Sequence, residues 1–271
     1  MKMKQSKGLK RNTIDKYYTK KCVVDDCIGY IKEHIDINED DLIIEPSAGN
    51  GSFIEGIKSL SKNYRFFDIE PENDEIIKQN FLEYVWESRK THVIGNPPFG
   101  RQSSTAIQFI KNACSFASSI SFILPKSFKK DRMKKSFPLN FHLVYEIDLP
   151  ENSFLVDGVE HNVETIFQIW EKRDWKRAIV ESAEPENFVF VGKMDNPEIS
   201  FRRVGVKAGA ISASILDKSI ESHYFIKFTN GKSVKDNIDL LRNIEFHHNN
   251  TVGPKSISKP ELIVEFNRAL C

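Results

Sequence analysis

The sequence has 271 residues, 40% hydrophobic and 11% aromatic, with a net charge of +1, which is ample core material and argues against wholesale disorder. Its cysteines (Cys22, Cys27, Cys114 and Cys271) form no C-x-x-C pair and His247-His248 has no spaced partners, so neither a disulfide framework nor a metal site is expected. No apolar run is long enough to span a bilayer and no h-region opens the chain, so an intracellular protein, cytoplasmic or nuclear, without a membrane partner is expected.

Residues 1–16 read as a basic arm, part of a lysine-rich start that runs to Lys21. Tyr17-Tyr18-Thr19 precedes a helical pattern from Cys22 to about Ile35, with Val23, Val24, Cys27, Ile28 and Ile31 on one face. Leu42-Ile43-Ile44-Glu45 is a short apolar strand that ends in an acid. Pro46-Ser47-Ala48-Gly49-Asn50-Gly51 is a turn, and Ser52 is placed to cap a helix bearing Phe53, Ile54, Ile57 and Leu60. A second strand, Tyr64–Phe67, ends in Asp68-Ile69-Glu70-Pro71. A short helix is expected around Asn73–Lys78, before Gln79-Asn80-Phe81-Leu82.

His92–Gly95 is the next strand, and it delivers Asn96-Pro97-Pro98-Phe99. Two consecutive prolines fix φ twice and remove two donors, which leaves a stiff loop at a strand's carboxyl end. Open α/β sheets bind ligands there, and the loop offers an amide acceptor, carbonyls and a flat ring to a planar amino-bearing group. A helix over about Ser103–Ala117, an apolar strand at Ile120–Leu124, a basic helix over roughly Phe128–Ser136 and a strand at Phe141–Leu149 follow.

Val163–Trp170 closes the set. Only a loop separates it from the strand before, so the two should pair antiparallel. The alternation from Leu42 to Leu149 predicts a mainly parallel sheet covered on both faces. After Lys172 the chain is more polar, with strand-like runs at Phe188–Val191 and Tyr224–Phe228 and helices at Val234–Asn243 and Glu261–Leu270.

The glycine turn lacks a full G-x-G-x-x-G and a Walker lysine, which disfavours dinucleotide and NTP phosphates. Its glycines still allow close backbone approach to a ligand, and an acid one strand on is placed for ribose hydroxyls. An adenosine without phosphates fits, with S-adenosylmethionine as the candidate.

Glu45-Pro46-Ser47-Ala48-Gly49-Asn50-Gly51, Phe67-Asp68-Ile69-Glu70-Pro71, Asn80-Phe81 and Asn96-Pro97-Pro98-Phe99 resemble the motifs of class I methyltransferases. The amino-group subclass acts on adenine N6 in nucleic acid. Leu124–Phe128 and Glu146–Phe154 resemble later motifs of the gamma-order, TaqI-like enzymes, and the resemblance covers residues 17–172. It implies a Rossmann-like α/β domain with a seven-stranded, mainly parallel sheet and an antiparallel last strand. Residues 173–271 would be a small C-terminal α+β appendage, a reduced target-recognition module.

By the same resemblance Thr19, Glu45, Ser47, Gly49 and Gly51 would line the methionine end of S-adenosylmethionine. Asp68 would hold the ribose, Ile69 and Phe81 would pack beside the adenine ring, and Asn80 would stand where the family usually has an acid reading the cofactor's amino group. Asn96 and the Pro97 carbonyl, in the loop that Pro98 stiffens, would grip the target amino group, and Phe99 and Phe154 would sandwich a flipped base. Lys126, Lys129, Lys130 and Lys134 would meet flanking phosphates. The substrate expected is DNA. RNA adenine methylation, protein glutamine methylation and a non-catalytic nucleic-acid-binding subunit are the alternatives.

Overall fold

The computed structural model describes residues 16–86, 88–178, 183–246 and 255–271. Residues 1–15 of the basic arm and His247-His248 therefore lie outside the described residues. The chain divides after Ala178 into two units.

In the first unit the elements run β1 (Tyr18–Thr19), α1 (Lys21–His34), β2 (Leu42–Glu45), α2 (Ile54–Lys58), β3 (Asn63–Asp68), β4 (Ile77–Lys78) and β5 (Thr91–Gly95). They continue with α3 (Ser104–Cys114), β6 (Ser119–Pro125), α4 (Asp131–Lys134), β7 (Phe141–Asp148), β8 (Phe154–Val156), β9 (Val159–His161) and β10 (Thr165–Lys172). Seven strands form one sheet in the order β4-β3-β2-β5-β6-β10-β7. The first five are mutually parallel, and β10 runs antiparallel to both β6 and β7. This is the strand order of the Rossmann-like class I methyltransferase fold.

The strand residues are apolar on both sides because both faces are covered. Ile43, Ile94, Ile123 and Ile169 join Val24, Cys27, Ile28 and Ile31 of α1 in one core. Val93, Phe122, Leu124 and Trp170 join Ala106, Ile110 and Ala113 of α3 in the other. Buried polar groups at the opposite end from the strand tips are paired. His92 lies between Ser119 Oγ (2.6 Å) and Asp41 Oδ2 (3.2 Å), and Lys90 Nζ also donates to Asp41 (2.8 Å). Burial holds the His92 imidazole below its ordinary pKa, so it is neutral and shares its proton within this network.

Three local expectations are corrected. Residues 73–78 form no helix; the Asn73 side chain accepts from Glu75 N (2.9 Å) in a turn, and Ile77–Lys78 then pairs parallel with β3. Ser52 does not cap α2, whose N-cap is Phe53; Ser52 instead donates its N–H and hydroxyl to Asn50 Oδ1. The basic helix is two short turns, a 3₁₀ turn at Lys126–Lys129 and α4, separated by the extended backbone of Lys130.

The loop between β7 and β10 holds the hairpin β8–β9, to which β1 adds as a third strand. In the second unit β11 (Phe188–Val191), β12 (Ile199–Arg202), β13 (Ile211–Ser212) and β14 (His223–Phe228) form an antiparallel sheet in the order β11-β14-β12-β13. Helices α5 (Val234–Leu241) and α6 (Lys259–Leu270) share its core, which includes Phe188, Phe201, Leu262 and Phe266. No helix among the described residues is long and apolar enough to cross a membrane.

Candidate ligand site at the carboxyl ends of the strands

Parallel strands β2, β3 and β5 end side by side at Glu45, Asp68 and Gly95, and the loops leaving them are tied together. After β2, Ala48 N–H donates to Phe67 O (2.8 Å) and Gly49 N–H donates to Asp68 Oδ2 (2.8 Å). The other Asp68 oxygen accepts from Glu70 N–H (2.8 Å). The carboxylate thus ties the glycine turn to the loop after β3.

Gly49 and Gly51 have φ of +55° and +88°, where a side chain is strained. A Cβ on Gly49 would stand 3.2 Å from the Tyr18 ring, and one on Gly51 only 2.6 Å from Ile54 Cδ1. The Tyr18 hydroxyl donates to Glu72 Oε1 (2.7 Å), and burial together with that carboxylate pushes its pKa up to about 12.

Asn96 is held on three sides. Its Nδ2 donates to Tyr17 O (3.2 Å) and to Thr19 Oγ1 (3.4 Å), and its backbone carbonyl accepts from the Ser47 hydroxyl (3.1 Å). A bond to a carbonyl fixes which end of the amide is nitrogen, and hence where the oxygen lies. That oxygen, Oδ1, is buried and has no partner. Glu45 Oε2 is the same, and Ser121 Oγ in mid-sheet completes the set of such side-chain atoms among the described residues. Glu45 is 2% exposed, and burial, reinforced by the Asp68 charge, pushes its carboxyl up to about 8. It is therefore mostly protonated at neutral pH.

The segment after Phe99 is strained. Gly100 (φ +68°), Gln102 (+52°) and Ser103 (+61°) lie in the left-handed region, and a Cβ on Gly100 would fall 2.1 Å from Thr105 Oγ1. Phe99 O accepts from Ala106 N–H (3.3 Å), which docks the loop on α3. Such strain persists only where packing over-determines the backbone.

The structure therefore brings together Thr19, Glu45, Ser47, Gly49, Asp68 and Asn96, with Pro97, Pro98 and Phe99 following in the same loop. Ile69 is 51% exposed beside Asp68, an apolar side chain left open at a strand end. Asn80 is engaged locally, where its oxygen accepts from Leu82 N–H (3.1 Å) and its amide donates to Glu83 (2.9 Å), capping a 3₁₀ turn. Phe81 is sealed in the core against the rings of Phe109 and Phe116.

Phe154 is wholly buried with Ile94, Ile123 and Phe167, and offers no open face for a base to stack on. Phe154→Ala is expected to cost about 3–5 kcal/mol of folding stability, the usual loss for a buried Phe. Denaturant melts check this, and a Phe154→Leu variant that folds and keeps its turnover would confirm a packing role. Of the basic set, Lys129 and Lys126 reach Asp148 (2.6 and 3.9 Å) and Lys134 reaches Glu146 (3.2 Å). Acids of β7 thus already compensate three of the four lysines expected to meet phosphates; the fourth, Lys130, marks the break between the two short turns.

Tyr17 and Tyr18 are site positions that the sequence motifs do not reveal. Tyr17 acts through its carbonyl, which no side-chain motif can signal.

No protein-family model and no curated protein matches the sequence. Among solved structures, a candidate RNA methyltransferase of Pyrococcus horikoshii is 16% identical, with a TM-score of 0.49 over 61% of this chain and 92% of its own. The 23S rRNA methyltransferase ErmE is 13% identical, with a TM-score of 0.45 over 59% of this chain and 71% of its own. A candidate class I S-adenosylmethionine-dependent methyltransferase of Listeria monocytogenes is 14% identical, with a TM-score of 0.45 over 58% and 61%. With scores and identities this low, the fold of this chain rests on its own strand order.

Proposed function

We propose that this chain is an S-adenosylmethionine-dependent methyltransferase whose target is the N6 amino group of adenine in DNA. The observation that carries the reading is the buried, unpartnered Asn96 Oδ1, oriented by β1 and followed by two prolines and an aromatic ring. The fit to the cofactor rests on three features of this chain. Glu45 Oε2 is a buried acceptor without a donor, one strand from Asn96. The turn at Gly49 and Gly51 takes positive φ and packs against Tyr18 and Ile54, where no larger residue fits. Ile69 leaves an exposed apolar surface beside the Asp68 carboxylate.

In this reading Glu45 takes a cationic group of the cofactor, with Ser47, Gly49 and Gly51 lining the same end and Thr19 acting through Asn96. Asp68 takes the ribose with the lone pairs its two backbone bonds leave free, and Ile69 packs on the adenine. Asn80 is assigned the cofactor's amino group through its remaining oxygen lone pair, while Phe81 supports it from the core. When bound, S-adenosylmethionine would supply an electrophilic methyl group, the carbon–sulfur bonding pair staying on sulfur.

The chain's own work is on the amine. An adenine amino nitrogen is a poor nucleophile because its lone pair is conjugated into the ring. Asn96 Oδ1 and the Pro97 carbonyl, accepting from its two N–H groups, favour the pyramidal geometry that frees the lone pair. The extra proton leaves afterwards. Pro97 and Pro98 keep the acceptors from relaxing, and Phe99 lies against the base. Positioning and preorganised acceptors carry the catalysis.

Asp68→Ala should weaken S-adenosylmethionine and S-adenosylhomocysteine alike, since charged hydrogen bonds are worth about 1.5–3 kcal/mol each. It should also lower the melting temperature, because the glycine turn loses its tie to β3. Calorimetry giving unchanged affinity for both ligands would refute the assignment.

The reading as a whole is tested by tritiated-methyl transfer to DNA, RNA and protein pools, followed by nucleoside analysis. N6-methyladenine in DNA is expected. The same nucleoside in RNA alone would keep the chemistry and change the substrate. Methylglutamine, or no transfer by protein that binds the cofactor, would overturn the reading.

A further inference from the structure

Strand β1 orients Asn96, and its two ends are anchored by different means. Past Thr19 the chain runs straight into α1, where Val24 N–H donates to Lys20 O (3.0 Å), and Lys20 N–H donates to Ser153 O (3.0 Å) beside the hairpin. Lys20 also pairs with Glu160 of β9. At the other end the Tyr17 ring packs edge-on to Phe154 (6.3 Å) and beside His161 (5.3 Å). Among the described residues, the side-chain hydrogen bonds of this end run to the loop after β3. Lys16 Nζ and the Tyr18 hydroxyl both donate to Glu72 Oε1 (2.6 and 2.7 Å), and Glu70 Oε2 lies 3.5 Å from the same lysine.

Glu72 is exposed, and an ion pair to Lys16 alone would contribute little. Two further contacts set it apart from a solvated acid. Its backbone N–H donates to Gly49 O (3.0 Å), and the Tyr18 ring that it holds lies 3.2 Å from where a Cβ on Gly49 would stand. The bond from Tyr18 is a hydroxyl to a carboxylate, the stronger class of hydrogen bond. One residue thus fastens together the glycine turn, the loop after β3 and the strand that orients Asn96.

Successive side chains of an extended strand point to opposite faces. Tyr18 reaches Glu72 on one face, and Thr19 Oγ1 meets Asn96 Nδ2 on the other. Any shift of β1 at Tyr18 therefore carries Tyr17 O and Thr19 Oγ1 with it, and these are the two acceptors that orient the amide.

We infer that Glu72 is a positioning residue: through the Tyr18 hydroxyl it sets β1, and through β1 it fixes where Asn96 Oδ1 points. The inference rests on the function proposed above in giving Asn96 the target amino group. The demand on the amide is one of tolerance, because a misplacement of about 1 Å can cost about 10²-fold in rate. A strand of two residues needs an anchor on each side to meet it.

The test takes two readouts on the full chain. The first needs no substrate. It is the side-chain amide of Asn96 in proton–nitrogen correlation spectra, identified by its absence from Asn96→Ala. Glu72→Ala and Tyr18→Phe should each shift and broaden that signal. Glu72→Gln keeps an oxygen for the Tyr18 hydroxyl and should restore it. The second readout is single-turnover methyl transfer at saturating cofactor. Glu72→Ala and Tyr18→Phe should each fall by about 10–10²-fold, with calorimetric cofactor affinity nearly unchanged and Glu72→Gln close to the parent. The double variant should lose no more than either single one, and in an Asn96→Ala background Glu72→Ala should cost no more than about twofold further. Glu75→Gln, which breaks another exposed ion pair of the same loop, to Lys58 (2.7 Å), should move neither readout.

An Asn96 signal unmoved in both Glu72→Ala and Tyr18→Phe overturns the inference. So does an undiminished loss in the Asn96→Ala background, which would show Glu72 acting elsewhere, or a fall in cofactor affinity large enough to account for the lost turnover. A parent chain that binds cofactor and transfers no methyl group, with the amide responding as described, counts against methyl transfer and leaves the positioning role standing. Methyl transfer by the parent with an unresponsive amide counts against Glu72 alone.

Discussion

Asn96→Ala is expected to lower turnover by about 10²–10³-fold or more, the cost of removing one preorganised polar contact, while cofactor affinity stays nearly unchanged. The two parts of that expectation come from different atoms. In the proposed reading turnover depends on Oδ1, which is buried and has no partner among the described residues. The amide nitrogen is spent on Tyr17 O and Thr19 Oγ1, so it orients the oxygen and contributes little to ligand affinity. Asn96→Asp sharpens the test. It keeps an oxygen for the substrate but sets a second one against the Tyr17 carbonyl, so it should also lose most turnover. Single-turnover rates with saturating cofactor, beside calorimetric cofactor binding, check both variants. Cofactor affinity that collapses while bound enzyme turns over normally would move Asn96 to the cofactor side of the site.

How much of this was legible depended on the range of the interactions involved. Leu42–Glu45, Thr91–Gly95 and Ser119–Pro125 are apolar runs buried on both faces, and such runs announce themselves whatever packs on them. The glycine turn, Asp68 and the Asn-Pro-Pro-Phe loop were readable because each needs particular residues at a strand end. The strand Ile77–Lys78 was not readable, since two residues pair with β3 only because β3 is already there. The hairpin of β8 and β9 did carry a signal, Asp157-Gly158 with φ of +50° and +76°, which is the chemistry of a tight hairpin turn. That hairpin decides the fate of Phe154, drawing it into the core and seating β1 where Tyr17 O can reach Asn96. The basic run from Lys126 to Lys135 shows the opposite case. Its charges are obvious in the sequence, but the acids that answer them, Glu146 and Asp148, come later on a strand.

Cofactor affinity should rise with pH by about tenfold per unit up to about pH 8 and then level off, because one unit of pKa shift is about 1.36 kcal/mol. The group responsible is Glu45, pushed up to about 8 by burial and by the Asp68 charge. Below that value the free protein holds the carboxyl protonated, and a cationic ligand group binds the ionised form. Each pH unit below 8 then adds the work of removing the proton, until the ligand-bound pKa is reached. Stability has the opposite sign. The folded pKa lies above the ordinary carboxyl value of 4.5, so the folded state holds a proton that the unfolded chain releases. Stability of the free protein should therefore decline as pH rises from about 4.5 to about 8, and flatten beyond it. Glu45→Gln mimics the protonated form, so it should remove Glu45's contribution to both slopes and bind cofactor weakly at every pH. Calorimetry in buffers of different ionisation enthalpy gives a second readout, near one proton released per cofactor bound at pH 7 in the parent and about one fewer in Glu45→Gln. Equal proton release by the two proteins would place the ionisation elsewhere and take Glu45 out of the cofactor site.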